Sequence, residues 1–280
     1  MILNINSIKK AADLISLADN FLIIVGAGMG VDSGLPDFRG NKGFWKVHPN
    51  FKSEKLSFSD LANPHWFFDN PKRAWGFYGH RHQLYSKTFP HEGFNILKTW
   101  CDLKQENSFI YTSNVDGHFQ KAGFPQKIIY ECHGSINYFQ CNLNCSEDIW
   151  HNPDLSLEID ENNLLAKDPL PNCKNCGAIA RPNILMFDDY NWIEERALNQ
   201  RNFYKKWLDT IEPESTVIIE IGAGVSGCSA RNETKRNRKM SNIIRINPTD
   251  AKGNDKTVSI KMNELDTLLA INKELLALRK

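Results

Sequence analysis

The sequence lacks any apolar run that approaches the roughly 20 residues of a membrane-spanning helix. It also lacks an excess of either charge, because 34 basic residues stand against 33 acidic ones and the net charge is +1. We therefore expect no binding to membranes and no bulk attraction to nucleic acid. Repeats and low-complexity tracts are absent as well. A chain of 280 residues can bury one large core, or one core together with a small second domain.

The first residues, MILNINSIKKAADL, lack the charged start and the long apolar stretch of a secretory signal peptide. The chain holds seven cysteines, which is an odd number, and four of them fall in two close pairs. Without an export signal, close pairs of cysteines indicate metal ligands before they indicate disulfides. We therefore expect a cytoplasmic protein with reduced thiols.

One stretch near the N-terminus carries much of the chemical information. Residues 21–25 are all apolar and run into GAGMG, so they predict a buried strand that ends in a turn with almost no side-chain bulk. Such a turn lets backbone N–H groups approach a phosphate, although a plain strand-to-helix connection explains it equally well. Residues 36–39, Pro-Asp-Phe-Arg, then place a rigid turn, a carboxylate, an aromatic ring and a guanidinium in succession. That combination suits a loop that closes over a cationic aromatic ring and an anionic phosphate.

Polar residues follow two further predicted strands. Residues 108–113 predict a strand that leads to Asn114 and Asp116. Residues 128–130 predict another, which leads to His133. Because the ligands of open α/β sheets lie at the carboxyl ends of the strands, we expect a binding crevice there.

The rest of the chain alternates predicted helices with predicted strands. Residues 216–221 predict a buried strand that ends in a second glycine turn, Gly-Ala-Gly at 222–224. Short strands are also expected at 243–246 and 258–260. The spacing of apolar residues predicts helices at 8–18, 71–85, 94–103 and 264–280. The aromatic-rich stretch 41–70 is expected to form the core of a helical lobe.

The remaining motif is a set of four cysteines, Cys141, Cys145, Cys173 and Cys176. Four thiolates in two close pairs suit a tetrahedral zinc ion. A zinc ion with four protein ligands has no open position for water or substrate, so this zinc would be structural. His151 could replace one of the thiolates. The acidic stretch 152–171 between the pairs predicts a surface loop.

These motifs resemble those of the sirtuin family and occur in the family's order. They are the GAG turn with PDFR at 36–39, TSNVDG at 112–117, His133 with Gly134, the cysteine pairs, RPNILMF at 181–187, the second glycine turn, and Ile246 with Asn247. The resemblance covers about residues 19–260. It implies an α/β fold with a Rossmann-like, mostly parallel sheet, helices on both of its faces, an inserted small zinc-binding domain and a helical lobe.

The resemblance also implies a division within one sirtuin-type catalytic domain of residues 1–280. The Rossmann-like part would comprise about residues 1–40, 93–137 and 186–280. The small domain would comprise about residues 41–92, as the helical lobe, and 138–185, as the zinc-binding part. The active site would lie in the cleft between them.

The activity that the resemblance implies is NAD-dependent deacylation of lysine in a protein or peptide, with transfer of the acyl group to ADP-ribose and release of nicotinamide. By similarity, His133 would be the general base that deprotonates a ribose hydroxyl. Asn114 would hold the ribose hydroxyls, and Asp116 would accept a hydrogen bond from the nicotinamide amide. Phe38 would cover the nicotinamide pocket. Asn247 would face the adenosine end.

The residues implied to contact NAD come from the two glycine turns, the loop after the first turn and the strand ends. They are Gly26, Ala27, Gly28, Asp37, Phe38, Arg39, Ser113, Asn114, Val115, Asp116, His133, Gly222, Ala223, Gly224 and Asn247. Met186 and Phe187 match the segment to which the family's substrate peptide pairs. Tyr78 and Arg81 resemble the pair with which one sirtuin class holds succinyl or malonyl groups, although an ordinary helix surface explains them as well.

The chain departs from the family pattern at several positions. Gly30 stands where a serine is usual, Ser113 stands where a glutamine is usual, and two aspartates at 188–189 replace Gly-Glu. The second glycine turn is GAG where GTS is usual. These departures leave two alternatives open: an ADP-ribosyltransferase or NAD hydrolase built on the same fold, and a non-enzymatic NAD-binding module.

Overall fold

The structure is a computed structural model. It describes residues 2–36, 54–104, 107–160, 162–225, 229–237 and 242–278. Asp37, Phe38 and Arg39 lie outside the described residues, so their part in binding a cofactor stays a prediction.

Strands and helices alternate in the segments that form the main sheet, whereas four helices follow one another at 58–102 and six strands follow one another at 129–184. The strands are β1 Asn20–Val25, β2 Ser108–Thr112, β3 Ile129–Glu131, β4 Gly134–Cys141, β5 Ile149–His151, β6 Ile159–Asp160, β7 Leu165–Ala166, β8 Ala180–Ile184, β9 Thr216–Ile221, β10 Asn242–Ile246 and β11 Thr257–Ile260. The helices are α1 Ile2–Leu17, α2 Phe58–Leu61, α3 Trp66–Asp69, α4 Pro71–Lys87, α5 Glu92–Asp102, α6 His118–Lys121, α7 Glu195–Leu208, α8 Ser229–Arg236 and α9 Glu264–Leu278. Short 3₁₀ helices occur at Ala27–Ser33, Gln126–Ile128 and Pro213–Ser215.

The main sheet has six strands, all parallel, in the order β11-β10-β9-β1-β2-β3. Strands β1, β2 and β3 follow one another outward from the centre of the sheet in one direction, and β9, β10 and β11 follow one another outward in the other. The order therefore reverses between β1 and β9, and ligands of doubly wound sheets bind at such a reversal. The predicted Rossmann-like sheet is confirmed.

The alternation of side chains along β1 explains why helices cover both faces of the sheet. Each residue of β1 and β9 is buried, as expected for central strands of a parallel sheet. Ile23 and Val25 point to one face and pack into a core that includes residues of α1, α5 and α9. Leu22 and Ile24 point to the other face, where Tyr204 of α7 packs against the same core as they do.

A second, antiparallel sheet has the order β5-β4-β8, and it lies beside α4 and the β6-β7 hairpin. A separate apolar core joins these elements and includes Trp75, Tyr78 and Phe139. The Trp75 indole N–H donates to the backbone oxygen of Ala180 over 2.9 Å, which ties α4 to β8. A Cβ at Gly76 would lie 1.8 Å from the backbone oxygen of Leu164, so α4 approaches the hairpin as closely as it does because this residue is glycine.

Most predicted elements occur near their expected positions, and two expectations need correction. Helix α1 begins at Ile2 and not at residue 8. The stretch 152–171 is more than a surface loop, because it contains β6 and β7 and buries Leu157 and Leu164 in the second core. Its acidic residues mark the exposed side of a hairpin whose apolar side chains face α4. Within the described residues, no helix combines the length and the apolar character that crossing a membrane demands.

Candidate active site

The carboxyl ends of β1, β2 and β3 lie around one cavity of about 430 Å³. Its walls include residues predicted for catalysis and cofactor binding, namely Ala27, Ser113, Asn114, Val115, Asp116 and His133. They also include the residues predicted to contact substrate, Tyr78, Arg81, Met186 and Phe187. The structure therefore brings residues from distant parts of the chain to a single cavity at the predicted edge of the sheet.

The two glycine turns pack backbone against backbone beside this cavity. A Cβ at Gly26 would lie 2.7 Å from the Gly222 oxygen, and a Cβ at Gly222, where φ is +62°, would lie 2.5 Å from the Met29 nitrogen. The Gly28 N–H donates to the Gly222 oxygen over 3.1 Å. Gly26 and Gly222 are thus required by this close approach, and Gly28 takes part in it through its N–H. The contact also uses the Gly28 N–H, which the sequence assigns to the cofactor.

The residues after the first glycine form a 3₁₀ helix and not an open loop. The Asp32 carboxylate accepts from the Leu265 N–H over 2.8 Å, which joins this helix to the start of α9. The His91 Nε2 contacts the Met29 oxygen at 2.9 Å and the His91 N–H donates to the Ser33 hydroxyl. A Cβ at Gly30 would lie 3.1 Å from the Leu35 side chain, so glycine fits here with Leu35 packed closely against it.

Asn247 is buried and stabilises the second glycine turn through hydrogen bonds to its backbone and to the backbone of residues 249–250. Its Nδ2 donates to the Ala223 oxygen over 2.9 Å, and its Oδ1 accepts from the backbone N–H groups of Thr249 and Asp250. Six of the described residues predicted to contact NAD are not part of the cavity wall: Gly26, Gly28, Gly222, Ala223, Gly224 and Asn247. The structure therefore shows a turn-stabilising role for Asn247, and its predicted contact with adenosine stays a prediction.

His133 lies between β3 and β4 and is held on both sides of its ring. Its Nδ1 lies 3.2 Å from the Ser113 backbone oxygen, and its Nε2 lies 2.9 Å from the Ser229 hydroxyl. Burial lowers the pKa of His133 below its ordinary value, and the hydrogen bond to the Ser113 carbonyl opposes this only in part. The imidazole is therefore neutral near pH 7 and can accept a proton. Gly134 follows with φ +79°, and a Cβ there would lie 2.1 Å from the Asn183 oxygen.

Asn114 and Asp116 are tied to the backbone around them. The Asn114 Nδ2 donates to the Gly26 oxygen over 3.1 Å, which connects the end of β2 to the first glycine turn. The Asp116 Oδ1 accepts from the His118 N–H at the start of α6. Ser113 points its hydroxyl back to the Val25 oxygen, so this residue offers His133 its carbonyl and not its side chain.

The two aspartates that depart from the family pattern have separate roles. Asp188 has φ +54°, a left-handed conformation that glycine adopts freely and aspartate tolerates. Asp189 forms an ion pair with Arg181 at 2.6 Å, and the two side chains are 0% and 1% exposed. The Asp189 carboxylate also accepts from the Met186 N–H over 3.2 Å. The pair therefore fixes the segment that brings Met186 and Phe187 to the cavity.

Helix α4 contributes a buried cation to the cavity. The Arg81 guanidinium donates to the Tyr85 hydroxyl from Nη2 over 2.9 Å and from Nε over 3.2 Å. Its central carbon lies 5.4–5.7 Å from the ring centroids of four aromatic residues, Phe58, Phe77, Tyr78 and Tyr85. Burial raises the pKa of Tyr78, so this phenol stays protonated and can donate. An anionic group is the ligand that this environment suits best.

Two residues of the cavity wall with polar side chains, Tyr85 and Ser229, were not predicted from the sequence, and neither were apolar wall residues such as Leu35, Phe58 and Ala62. Tyr85 lies four residues after Arg81, which places it on the same face of α4, so helical spacing could have found it. Ser229 follows the second glycine turn, but no local pattern links it to His133, because their contact joins residues far apart in the chain.

The four cysteines form a compact cluster at the far end of β4. Their Sγ atoms all lie within 4.8 Å of one another, and the Cys141–Cys176 and Cys145–Cys173 distances are both 3.6 Å. A tetrahedral zinc–thiolate site with bonds of about 2.3 Å has sulfur–sulfur edges of about 3.8 Å. The cluster therefore fits zinc. His151 instead lies against Tyr138, with ring centroids 4.7 Å apart.

Comparisons with known proteins agree with this geometry. A family model described as the Sir2 family matches residues 26–216. An NAD-dependent protein deacylase of Aquifex aeolicus is 35% identical over 170 residues, which are 61% of this chain and 62% of the relative. An NAD-dependent protein deacetylase of Saccharolobus solfataricus is 31% identical over 220 residues, which are 78% of this chain and 75% of the relative. The chain thus spans less than two thirds of the length of the Aquifex relative.

A solved structure of a Sir2 homologue with NAD matches with a TM-score of 0.74 and 20% sequence identity. The match covers 97% of this chain and 94% of the chain in that structure. A Sir2 structure with a deacetylated p53 peptide has a TM-score of 0.66 and 19% identity, with 95% and 97% covered. At this level of identity, the two structures establish a shared fold.

The Asp189–Arg181 pair makes a testable prediction about stability. Asp189→Ala leaves a buried guanidinium without its counter-charge, so we expect a loss of about 3–5 kcal/mol in the free energy of unfolding. Asp168→Ala is the control, because Asp168 pairs with Lys72 at the surface, with side chains 67% and 51% exposed. The control should change stability by at most about 1 kcal/mol. Urea denaturation measures both, and equal effects would contradict the assignment.

Proposed function

Because the chain belongs to the Sir2 family, we propose that it is an NAD-dependent protein-lysine deacylase, which transfers the acyl group to ADP-ribose and releases nicotinamide. The observation that carries this proposal is the neutral His133 beside Asn114 and Asp116 in one cavity, with Met186 and Phe187 on its wall. Bound NAD would supply the ribose carbon from which nicotinamide leaves. We propose an acyl-lysine protein or peptide as the second substrate.

The proposed roles follow from where each side chain lies. His133 accepts a proton from a ribose hydroxyl at Nε2, since Nδ1 already donates to the Ser113 carbonyl. Asn114 and Asp116 hold polar groups of the cofactor at the end of β2. The first glycine turn contributes Ala27 to the cavity wall, and the phosphates are proposed to lie beside this turn. Asp37, Phe38 and Arg39 keep their predicted roles over the pocket.

The substrate peptide is proposed to lie along the segment after β8. The Phe187 N–H already donates to the Ala62 oxygen over 2.9 Å, which links this segment to the end of α2. Phe187 is half exposed, whereas Met186 is buried in the cavity wall. This arrangement places the exposed apolar ring of Phe187 beside the buried Met186 on the cavity wall, where a substrate peptide could contact both.

The test is incubation with NAD and a panel of acetyl-, malonyl- and succinyl-lysine peptides, with products followed by mass spectrometry. The proposal requires nicotinamide release that depends on an acyl peptide and is lost in His133→Ala. NAD consumption without any acyl peptide, or labelling of a protein by ADP-ribose, would favour the transferase or hydrolase alternative. NAD binding with no turnover would favour the non-enzymatic module.

We further propose that Arg81 and Tyr78 select acyl groups with a terminal carboxylate. The specific observation is the Arg81 guanidinium on the same cavity wall as His133. Arg81→Met should lower the kcat/KM for succinyl- or malonyl-lysine by about a hundredfold, because it removes a charge-assisted hydrogen bond in a buried site. Activity on acetyl-lysine should stay within a few-fold.

A matched control for this substitution exists on the same helix. Arg73→Met changes an arginine that pairs with Glu54 at 2.6 Å near the surface, away from the cavity wall. It should leave the ratio of succinyl to acetyl activity unchanged. A parallel fall for both acyl classes in Arg81→Met would show that Arg81 supports the fold and does not select the acyl group.

The environment of His133 predicts the pH dependence of the reaction. A general base must be unprotonated, so kcat/KM falls as pH drops through the pKa of this histidine. Burial lowers the pKa of His133. The charged side chains on the cavity wall are one carboxylate, Asp116, and one guanidinium, Arg81. We expect the acid limb of the kcat/KM profile to have its midpoint below 6.5, the ordinary histidine pKa. A midpoint above that value would contradict the assignment of His133 as a buried neutral base.

We propose that Cys141, Cys145, Cys173 and Cys176 hold one structural zinc ion, supported by the close spacing of their four Sγ atoms, which all lie within 4.8 Å of one another. Metal analysis should find about one zinc per chain, and Cys173→Ser should lose it and lower the melting temperature. His151→Ala is the control and should keep the metal. Full zinc content in Cys173→Ser would refute the site. Since reduced thiolates suit a reducing compartment, we also propose a cytoplasmic location.

We also propose the division into a Rossmann-like part and a small domain near the predicted boundaries. Its support is that the six-stranded sheet and the sheet of β4, β5 and β8 have separate apolar cores.

A further inference from the structure

The imidazole of His133 is held by two hydrogen bonds from different parts of the chain. The Ser113 carbonyl at the end of β2 lies 3.2 Å from Nδ1. The Ser229 hydroxyl at the start of α8 lies 2.9 Å from Nε2. Both ring nitrogens therefore have partners, and the ring cannot rotate without losing at least one of these bonds.

The chemistry of the partners determines which nitrogen carries the proton. A carbonyl oxygen only accepts, so Nδ1 must donate to Ser113. In the neutral ring, Nε2 has a single lone pair, and in the protein without substrate this lone pair accepts from the Ser229 hydroxyl. This places the basic lone pair of His133 on the nitrogen that Ser229 contacts, and Ser229 and His133 both line the cavity.

Ser229 is itself held in place by buried residues of its helix. Two residues further on, Arg231 forms an ion pair with the buried Glu220 at 2.9 Å and donates to the Ala223 oxygen over 2.9 Å. Glu233, one helical turn after Ser229, accepts from the Tyr204 hydroxyl over 3.0 Å. These contacts attach α8 to β9 and α7, so the hydroxyl of Ser229 approaches His133 from a fixed direction.

We infer that Ser229 is a positioning residue for His133: its hydrogen bond holds Nε2 toward the cavity in the protein without substrate, and the ribose hydroxyl takes the place of the serine hydroxyl at Nε2 before it gives up its proton. The serine acts through the histidine, and its kinetic effect rests on the proposed deacylase function. The effect of Ser229 on the orientation of the ring does not depend on that function, because the two hydrogen bonds are present in the protein without substrate.

The first experiment measures the ring directly and needs no turnover. The full-length chain is labelled with ¹⁵N-histidine, and the His133 ring signals are assigned with the His133→Gln variant. We expect a protonated Nδ1 and an unprotonated, hydrogen-bonded Nε2 near pH 7. Ser229→Ala should shift the Nε2 signal, and Ser229→Thr, which keeps a hydroxyl, should restore it. An Nε2 signal that does not move in Ser229→Ala would overturn the inference.

The second experiment separates positioning from cofactor binding. Ser229→Ala should lower kcat at saturating NAD by about ten- to a hundredfold, with the KM for NAD within about twofold, because only the base is misplaced. Ser229→Thr should recover most of the activity. A raised KM with an unchanged kcat would overturn the inference in favour of a direct contact with NAD.

The control is Asn232→Ala, an exposed residue of the same helix. It should change neither the His133 signals nor the kinetics, and melting temperatures report whether each variant is folded. If the wild-type chain shows no deacylase activity, the proposed function fails, and the ring signals alone decide the role of Ser229.

Discussion

The contact between the two glycine turns is the constraint on which the site depends. Strands β1 and β9 are neighbours, so the turns that follow them meet at the edge of the sheet. Neither Gly26 nor Gly222 has room for a Cβ, since one would lie within 2.7 Å of backbone atoms at either position. Because both partners are backbone, no change in a nearby side chain can make room. The contact determines where the 3₁₀ helix starts after β1 and how the chain leaves β9 on its way to α8.

The chemistry of the cavity follows from this arrangement of strand ends. His133 lies after β3, at the edge of the sheet, and its partners come from the ends of β2 and from α8. The site thus combines a rigid backbone carbonyl with a side chain that reaches the ring from the other side. Burial keeps the imidazole neutral, while the buried guanidinium of Arg81 supplies positive charge on the wall formed by α4.

Much of the fold could be predicted because strong apolar runs lead directly into polar or glycine-rich turns. Residues 216–221 were predicted as a strand with the bounds that the structure shows, and Asn114, Asp116 and His133 lie at strand ends as expected. The hairpin of β6 and β7 was missed because its strands have two residues each, too short for a periodic pattern. Ser229 and the Asp189–Arg181 pair were missed for a different reason. Their roles depend on contacts between segments, and the sequence around each residue carries no sign of its partner.

Strand β4 connects the cavity around His133 to the cysteine cluster. It begins at Gly134, next to His133, and ends at Cys141 in the cysteine cluster, a span of roughly 20 Å. The cavity around His133 and the cysteine cluster have no side chain in common, but β4 connects them. Oxidation that joined the clustered thiols would shorten their 3.6 Å separations to about 2 Å and displace the far end of β4. Such a bond would therefore act on the same strand whose first residue follows His133.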